Sequence, residues 1–256
     1  MLIAFFLLNS AFSIVGKSLT YDEPYHYKYG ENILDGDSTR FDDSKMPFSA
    51  WNALPAKIAS FLPEGDLKTN LEKMVAARLM TTLFSAITAF FVFYWSRELY
   101  GVVPAYISTS LFILDPNIIA HSQLVTTDAY AMGTILLSGF FLWKFSRRPD
   151  WPSGLSFSLV LGFAQLAKYT SISLYPLFLI IFCVSNVLRL NEDGYLHNKF
   201  QFWFRQIFRY LKYFIITMCI SVLIINIGFL FNRSFVNIKE YNFKSNLFSL
   251  VQEKIT

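Results

Sequence analysis

Cysteine and charge are both scarce in this sequence. The only cysteines, Cys183 and Cys219, each lie inside an apolar block, so they are too few for a zinc cluster and badly placed for a disulfide bond. Charged residues make up 16% of the chain, and the net charge is a modest +4. The Lys and Arg residues lie between apolar blocks and form no basic stripe that could follow a phosphate backbone. These absences argue against a zinc module and against a nucleic-acid partner.

Apolar residues are abundant and occur in blocks. They make up 54% of the 256 residues, and the mean hydropathy of +0.40 is too high for a soluble domain with a polar surface. The blocks are roughly 15 to 22 residues long, as bilayer-spanning helices require. We therefore predict an all-α, polytopic protein with about seven spans in one membrane domain, residues 1–231. The predicted spans are 2–16, 74–95, 102–119, 127–143, 154–167, 170–188 and 212–231.

Two of these spans need further argument. Residues 153–188 form one apolar run, but a single helix of that length would reach roughly 54 Å, against a hydrocarbon core of about 30 Å. The run must therefore turn back, and Lys168-Tyr169-Thr170 is its only polar break. The first span could be a signal peptide, but it lacks a basic N-terminal region and a small-residue cleavage site. We interpret it as an uncleaved or N-terminally shortened helix.

The orientation follows from the distribution of Lys and Arg. The basic loops are 96–101, 144–153 and 189–211. The turn 120–126 has no Lys or Arg, and the turn 168–169 has only Lys168, so the basic loops face the cytoplasm. The large first outer loop, residues 17–73, then faces the periplasm or lumen, and it carries ten acidic residues between Asp22 and Glu72. We favour the bacterial cytoplasmic membrane over the endoplasmic reticulum as the location.

Two segments outside the spans also have a pattern. Residues 197–211 place aromatic and aliphatic residues on one side of a helix and basic residues on the other, which predicts an interfacial helix on the lipids of the inner leaflet. Residues 232–256 begin an outer segment whose apolar residues recur at near-helical spacing. We expect this segment, and the chain with it, to be cut short.

The first candidate site lies where the first span leaves the membrane. Asp22 and Glu23 are adjacent carboxylates, and His26 follows one helical turn later. Such a cluster could supply a general base or bind a metal ion. An alternative stays open, because Thr20-x-x-Glu23 fits a capping box and Asp22 before a proline could simply start a helix.

The second candidate site lies at the outer end of the fourth span. Asp128 could interact with the helix dipole, with Thr127 as the N-cap, or it could meet Asp22 across a cavity on the same face. His121 could join that site, although we favour an interfacial position for it. Asp115 precedes Pro116, and this pair is expected to end or kink the third helix.

Two basic residues are candidates for anion binding. Lys168 lies between two very apolar helices, where a lysine is costly unless it reaches water, snorkels or pairs with an anion. An anionic lipid phosphate is a natural partner on the outer face. Arg78 lies one turn from the outer loop, so the same argument for anion binding applies to it less strongly.

Taken together, three segments resemble the GT-C membrane glycosyltransferases. They are the Asp-Glu-Pro-x-His sequence at Asp22, the segment Ala120–Asp128, and Ala167–Thr170. Within this class the chain looks most like family 39, the protein O-mannosyltransferase and aminoarabinose-transferase group. The resemblance covers nearly the whole chain, and it includes the order of the segments and their shared membrane face.

The resemblance implies an inverting transfer of sugar from a polyprenyl-phosphate donor to a protein, lipid or glycan acceptor on the outer face. Asp22 would be the catalytic base, Glu23 would assist it or bind an ion, and Asp128 would be a second acid. By the same resemblance His26 would line the site and Lys168 would hold the lipid phosphate. We also predict Arg78, His121 and Tyr169 as contacts to substrate. A divalent cation on the three acids stays open.

A secondary transporter and a non-catalytic membrane scaffold are the competing hypotheses. Transporters place ionisable residues near the bilayer midplane and often have repeated halves. Here the acids cluster at one surface and no repeat is visible, so the sequence favours a glycosyltransferase.

Overall fold

The architecture is entirely helical. The structure, a computed structural model, describes residues 1–37, 46–148, 150–192, 200–232, 234–241 and 246–255, and none of these lies in a β-strand. In chain order the helices are α1 (Leu2–Val15), α2 (Glu23–Leu34), α3 (Ala50–Ala59), α4 (Asp66–Leu71), α5 (Met74–Tyr100), α6 (Val102–Leu114), α7 (Pro116–His121), α8 (Asp128–Arg147), α9 (Trp151–Ala167), α10 (Leu174–Glu192), α11 (Phe200–Gly228) and α12 (Asn246–Ile255). The predicted all-α class is confirmed.

Each predicted span coincides with a helix, but the helices differ in length and hydropathy. In the described part of the chain, α5 and residues Leu211–Gly228 of α11 are long and apolar enough to cross a membrane. Residues Leu2–Val15, Val102–Leu114 and Tyr169–Ile181 are apolar but shorter. The total of seven spans therefore stays a prediction.

The third predicted span, 102–119, ends early. Helix α6 stops at Leu114, because Asp115 takes an extended conformation and Pro116 cannot continue the α6 hydrogen-bond pattern. Asp115 Oδ1 then accepts the amides of Asn117 and Ile118 at 2.8 Å and 3.0 Å, capping α7. The interpretation of Asp115 as a helix-ending residue is confirmed.

The apolar run 153–188 turns back at the predicted place. Helix α9 ends at Ala167, and Lys168 is extended, with φ −155° and ψ 129°. Helix α11 is one helix from Phe200 to Gly228 and joins the described part of the predicted interfacial segment, 197–211, to the last predicted span. It has no internal proline, and its only glycine is the last residue, so nothing in its sequence breaks the helix. Residues 197–199 lie outside the described residues.

Helix α5 has a polar interior face and an apolar exterior face. Its outward residues are large and apolar, with 40% to 50% of Leu83, Ile87 and Phe90 exposed. Its inward residues include Thr81, Ser85 and Thr88, which are fully buried. This is the reverse of a soluble helix and typical of a membrane helix, where small polar residues pack inside and large apolar residues face lipid.

Helices α5, α8 and α9 form the centre of the bundle. The start of α5 meets the start of α8, where Thr81 and the Tyr130 hydroxyl are 3.0 Å apart. Helix α9 packs on α8 in the opposite direction, with Phe157 near the start of α9 stacking on Phe145 near the end of α8. One end of the bundle therefore holds the starts of α5 and α8 and the end of α9. We call this the outer end.

The described part of residues 17–73 is largely helical and covers the outer end. Helices α2, α3 and α4 all fall within residues 17–73. The Trp51 indole donates to the Met80 carbonyl at 3.0 Å, and Asn52 Nδ2 donates to the Ala77 carbonyl at 2.8 Å. These bonds fix α3 against the first turns of α5, so the loop is part of the folded domain.

Gly30 is the point of closest approach within this loop. A Cβ atom at Gly30 would lie 2.3 Å from the Ser49 carbonyl oxygen, which is backbone and cannot rotate away. We expect Gly30→Ala to lower the free energy of unfolding by about 1–3 kcal/mol, the usual cost of overpacking. Thermal unfolding in detergent would measure it. Gly65→Ala is the matched control, because a Cβ there meets no atom within 4 Å, and an equal loss in both variants would contradict the prediction.

Candidate functional site

Asp22 and Glu23 lie at the start of α2. Glu23 is the first residue of the helix and Pro24 the second, where a carboxylate favours the helix dipole and proline is tolerated. The Thr20 amide and hydroxyl donate to Glu23 Oε2 at 2.9 Å and 3.1 Å, but the two residues do not form the expected capping box, because Glu23 is the first and not the third residue of α2. Asp22 occupies the N-cap position, but its side chain makes no capping bond. Asp22 therefore lies where the helix-start alternative places it, but its side chain does not make the hydrogen bond of a helix cap.

The Asp22 side chain is accessible. It is exposed, and it has no hydrogen bond or ion pair with the residues that the structure describes. A carboxylate in this state can accept a proton or a hydrogen bond from a molecule that enters from outside.

Glu23, by contrast, is fully buried in an ion pair with Arg78. Glu23 is 0% and Arg78 2% exposed, and two parallel bonds join them, from Nε to Oε1 at 2.8 Å and from Nη2 to Oε2 at 2.6 Å. Arg78 also donates to the carbonyls of Lys17 and Ser18 at 3.0 Å and 2.8 Å. Glu23 Oε1 accepts the Val125 amide at 3.1 Å. The pair thus ties together the end of α1, the start of α2, α5 and the turn before α8.

The same contacts determine the charge of Glu23. Burial alone would raise its pKa, but hydrogen bonds from Arg78 and from the amides of Thr20 and Val125, together with the Arg78 charge, outweigh burial and lower the pKa to about 2. Glu23 is therefore a permanent carboxylate at neutral pH.

Asp128 lies close to two of the other predicted residues, Lys168 and His121. It is the first residue of α8, and the Thr127 side chain does not cap that helix. Lys168 Nζ donates to Asp128 Oδ1 at 2.7 Å, and His121 Nδ1 lies 3.5 Å from Oδ2. All three side chains are between 40% and 47% exposed. The structure thus places His121 beside Asp128, and its position at the membrane interface stays a prediction.

The two acidic positions lie at the same end of the bundle. The Glu23 carboxylate accepts the amide of Val125, and Asp128 follows Val125 by three residues. Two other predicted residues lie at this end: His26 Nδ1 is 3.3 Å from Ser49 Oγ, and Tyr169, directly after Lys168, is 72% exposed. Of the eight predicted residues, Arg78 and Glu23 are the two whose polar atoms are enclosed by protein.

A second buried network beneath the site was not predicted. Asn52 Nδ2 donates to Thr81 Oγ1 at 2.8 Å, and Thr81 in turn lies 3.0 Å from the Tyr130 hydroxyl. Asn52 is 1% exposed. The only available signal was a single amide residue within the apolar stretch around Trp51.

A ready-made metal site is not apparent in the described part of the chain. Within it, no three His, Cys, Asp or Glu side chains are grouped closely enough to hold a metal ion. Asp128 and His121 form a pair, but Lys168 already occupies Asp128 Oδ1. A cation on the three acids is not part of the function proposed below.

A comparison with known protein families identifies the family of this chain. A family model described as dolichyl-phosphate-mannose-protein mannosyltransferase matches residues 48–242, well over half of the chain. The chain belongs to this family. The recognised resemblance is therefore confirmed, and membership places the protein among membrane glycosyltransferases that use a polyprenyl-phosphate-linked sugar. No curated protein and no solved structure matches the chain.

The family match covers part of the site. The predicted site residues from Arg78 onward lie inside the matched range, whereas Asp22, Glu23 and His26 lie before it. The roles of these three residues therefore depend on their geometry in this structure.

Proposed function

We propose that the protein transfers mannose from a polyprenyl-phosphate carrier to a hydroxyl group of a protein, with Asp22 as the general base. The observation that carries this proposal is the contrast between two adjacent carboxylates. Asp22 is exposed and has no side-chain partner among the described residues, whereas Glu23 is buried and fixed by Arg78. Glu23 fixes the start of α2, and the neighbouring Asp22 carboxylate stays exposed.

The proposed reaction is a single inverting displacement. Asp22 takes the proton of the acceptor hydroxyl while the oxygen forms a bond to the anomeric carbon, on the face opposite the phosphate. The bond from that carbon to the phosphate oxygen breaks, and the polyprenyl phosphate leaves with the bonding electrons. General-base assistance of this kind contributes about 10² to 10⁴ in rate.

Lys168 is proposed to neutralise the leaving phosphate. It lies at the turn between α9 and α10, where its ammonium can reach a headgroup at the membrane surface. The Lys168 ammonium pairs with Asp128 at 2.7 Å. Binding of the sugar donor would replace the Asp128 carboxylate with the donor's phosphate on this ammonium. Tyr169, His26 and His121 are proposed to line the sugar and acceptor positions.

Arg78 is proposed as a positioning residue. Four of its five N–H donors are used, two by Glu23 and two by the carbonyls of Lys17 and Ser18, and a side chain in this state has little left for a substrate. Glu23 is likewise proposed to position Asp22 and not to react. Both assignments replace the substrate-binding and catalytic roles expected from the sequence.

The membrane arrangement is proposed to follow the charge asymmetry. The outer end, with its acidic loop, would face away from the cytoplasm, and seven helices would cross the bilayer. The bacterial cytoplasmic membrane remains our proposed location.

Turnover by the purified protein would test the proposal. In proteoliposomes with polyprenyl-phosphate mannose carrying radiolabel, we expect label to move to a peptide that contains serine or threonine. A peptide with alanine at those positions is the matched control, because it differs only in the accepting hydroxyl. Label that stays on the carrier with both peptides, while the protein is folded, would contradict the transferase proposal.

A further inference from the structure

A cavity with charged and aromatic walls lies at the opposite end of the same three central helices. Its volume is about 460 Å³, and it is lined by Glu98 of α5, by Lys144 and Arg147 of α8, and by Ser153 of α9. The outer end holds the starts of α5 and α8 and the end of α9, whereas this cavity uses the other end of each. Helix α8 has 20 residues and is about 30 Å long, the thickness of a hydrocarbon core. We call the cavity the inner-end pocket.

Three cations converge on the inner-end pocket. Lys144, Arg147 and Arg148 line it together with two carboxylates, Glu98 and Asp150. Asp150 is already engaged, because its Oδ1 accepts the Ser153 amide at 3.0 Å and hydroxyl at 2.7 Å and so caps α9. Its Oδ2 pairs with Arg148 Nε at 3.4 Å. The pocket therefore has one more positive than negative charge.

Lys144 has ammonium N–H donors that no described residue accepts. Its side chain is half-buried, and it makes no hydrogen bond or ion pair with the described residues. Its ammonium lies 5.0 Å from the centre of the Phe140 ring and 5.6 Å from that of Tyr94. Aromatic faces attract a cation but accept no conventional N–H···O bond, so its three donors remain available to an anion.

Aromatic walls complete the pocket. Trp143 and Phe141 line it, and the Arg147 guanidinium lies 4.7 Å from the centre of the Trp143 ring. Tryptophan is typical of the membrane–water interface. The attraction of basic residues to a helix C-terminus accounts for Lys144 and Arg147 individually. It does not account for their meeting Arg148 and two aromatic walls around one cavity.

We infer that the inner-end pocket binds the phosphate of an anionic phospholipid headgroup from the leaflet opposite the proposed catalytic site. Lys144 and the two arginines bind the phosphate, because ammonium and guanidinium groups are the usual phosphate ligands in proteins. The apolar walls lie against the glycerol and the first acyl carbons. A soluble phosphate could bind the same three cations. The apolar walls are the feature that favours a lipid headgroup, because a free phosphate has no apolar part to contact them.

Lipid retention measured separately from sugar transfer would test this inference. The protein is reconstituted in vesicles of equal parts phosphatidylglycerol and phosphatidylcholine, extracted in mild detergent, and its bound lipids are counted by native mass spectrometry. We expect wild type to retain phosphatidylglycerol preferentially, Lys144→Met to lower that preference about tenfold, and Lys144→Arg to keep it. Arg97→Met is the matched control, because Arg97 is exposed at the same end of the bundle but does not line the pocket.

The outcomes separate the explanations. Equal losses in Lys144→Met and Arg97→Met would overturn the inference in favour of general surface charge, and so would an absence of preference in wild type. Displacement of the lipid by millimolar inorganic phosphate would overturn the lipid assignment and give the pocket to a soluble anion. Should Lys144→Met fail to fold, Arg148→Gln provides the same test, since Arg148 is highly exposed.

Discussion

Asp22→Asn is expected to reduce sugar transfer by about 10² to 10⁴ while leaving the fold unchanged. Asparagine keeps the shape of aspartate but cannot take a proton at neutral pH. The structure predicts no loss of stability, because the Asp22 side chain is exposed and does not cap α2. The measurement is the initial rate of transfer at matched amounts of folded protein.

Asp115→Asn is the matched control for this experiment. Asp115 also precedes a proline at the outer end, but its side chain caps α7 by accepting two amides. Asparagine is an equally good N-cap, so we expect near-normal transfer from Asp115→Asn. Asp128→Asn should be impaired, because it removes the carboxylate that holds Lys168. Near-normal turnover by Asp22→Asn would refute its role as the base.

Glu23→Gln is expected to lower the free energy of unfolding by about 3–5 kcal/mol, because it leaves the Arg78 charge buried without a counter-charge. Arg78→Met should cost a similar amount by stranding the Glu23 carboxylate. The double variant should lose less than the sum of the two, since neither charge then remains buried alone. Chemical unfolding in detergent measures all three. A double variant whose loss equals the sum would contradict direct coupling.

The same ion pair predicts an acid sensitivity with a defined sign. The pKa of Glu23 is about 2 in the folded protein, against an ordinary value of 4.5. Because the folded-state pKa is the lower one, the stabilisation is complete above about pH 4.5 and is lost as the pH falls from there towards 2. The difference corresponds to about 3 kcal/mol. This pH dependence should be absent in Glu23→Gln.

Glu31→Gln is the control for both measurements. Glu31 lies on the same helix, but its partner Lys28 is 68% exposed and the pair is separated by three residues on the helix surface. Such pairs contribute less than about 1 kcal/mol. A loss of stability in Glu31→Gln as large as that in Glu23→Gln would show that any charge change in α2 is damaging.

Much of the fold was predictable because a bilayer imposes simple requirements on the sequence. Apolar blocks predict the positions of the helices, and the length limit on a span predicts the reversal at Lys168, where α9 ends. The proline after Asp115 marked the end of α6. These predictions need only local sequence and the thickness of a membrane.

Contacts between distant residues were not predictable from the sequence. Nothing in the surroundings of Arg78 in the sequence reveals that Glu23, 55 residues earlier, fills two of its donors. The same holds for His121, whose distance from Asp128 depends on how the turn between α7 and α8 folds. The continuity of α11 was missed for a different reason, because a change from amphipathic to fully apolar composition does not by itself break a helix.

The separation of Glu23 from Arg78 along the chain also has a consequence for biosynthesis. Glu23 is made 55 residues before Arg78 and 102 residues before Val125, and a chain folds as it emerges. Glu23 is therefore already part of the chain when α5 is made, and the arginine near the start of that helix has its counter-charge available. An arginine without one is costly in a bilayer. The order of synthesis thus provides the counter-charge before the arginine, and Val125, the third part of the contact, is made last.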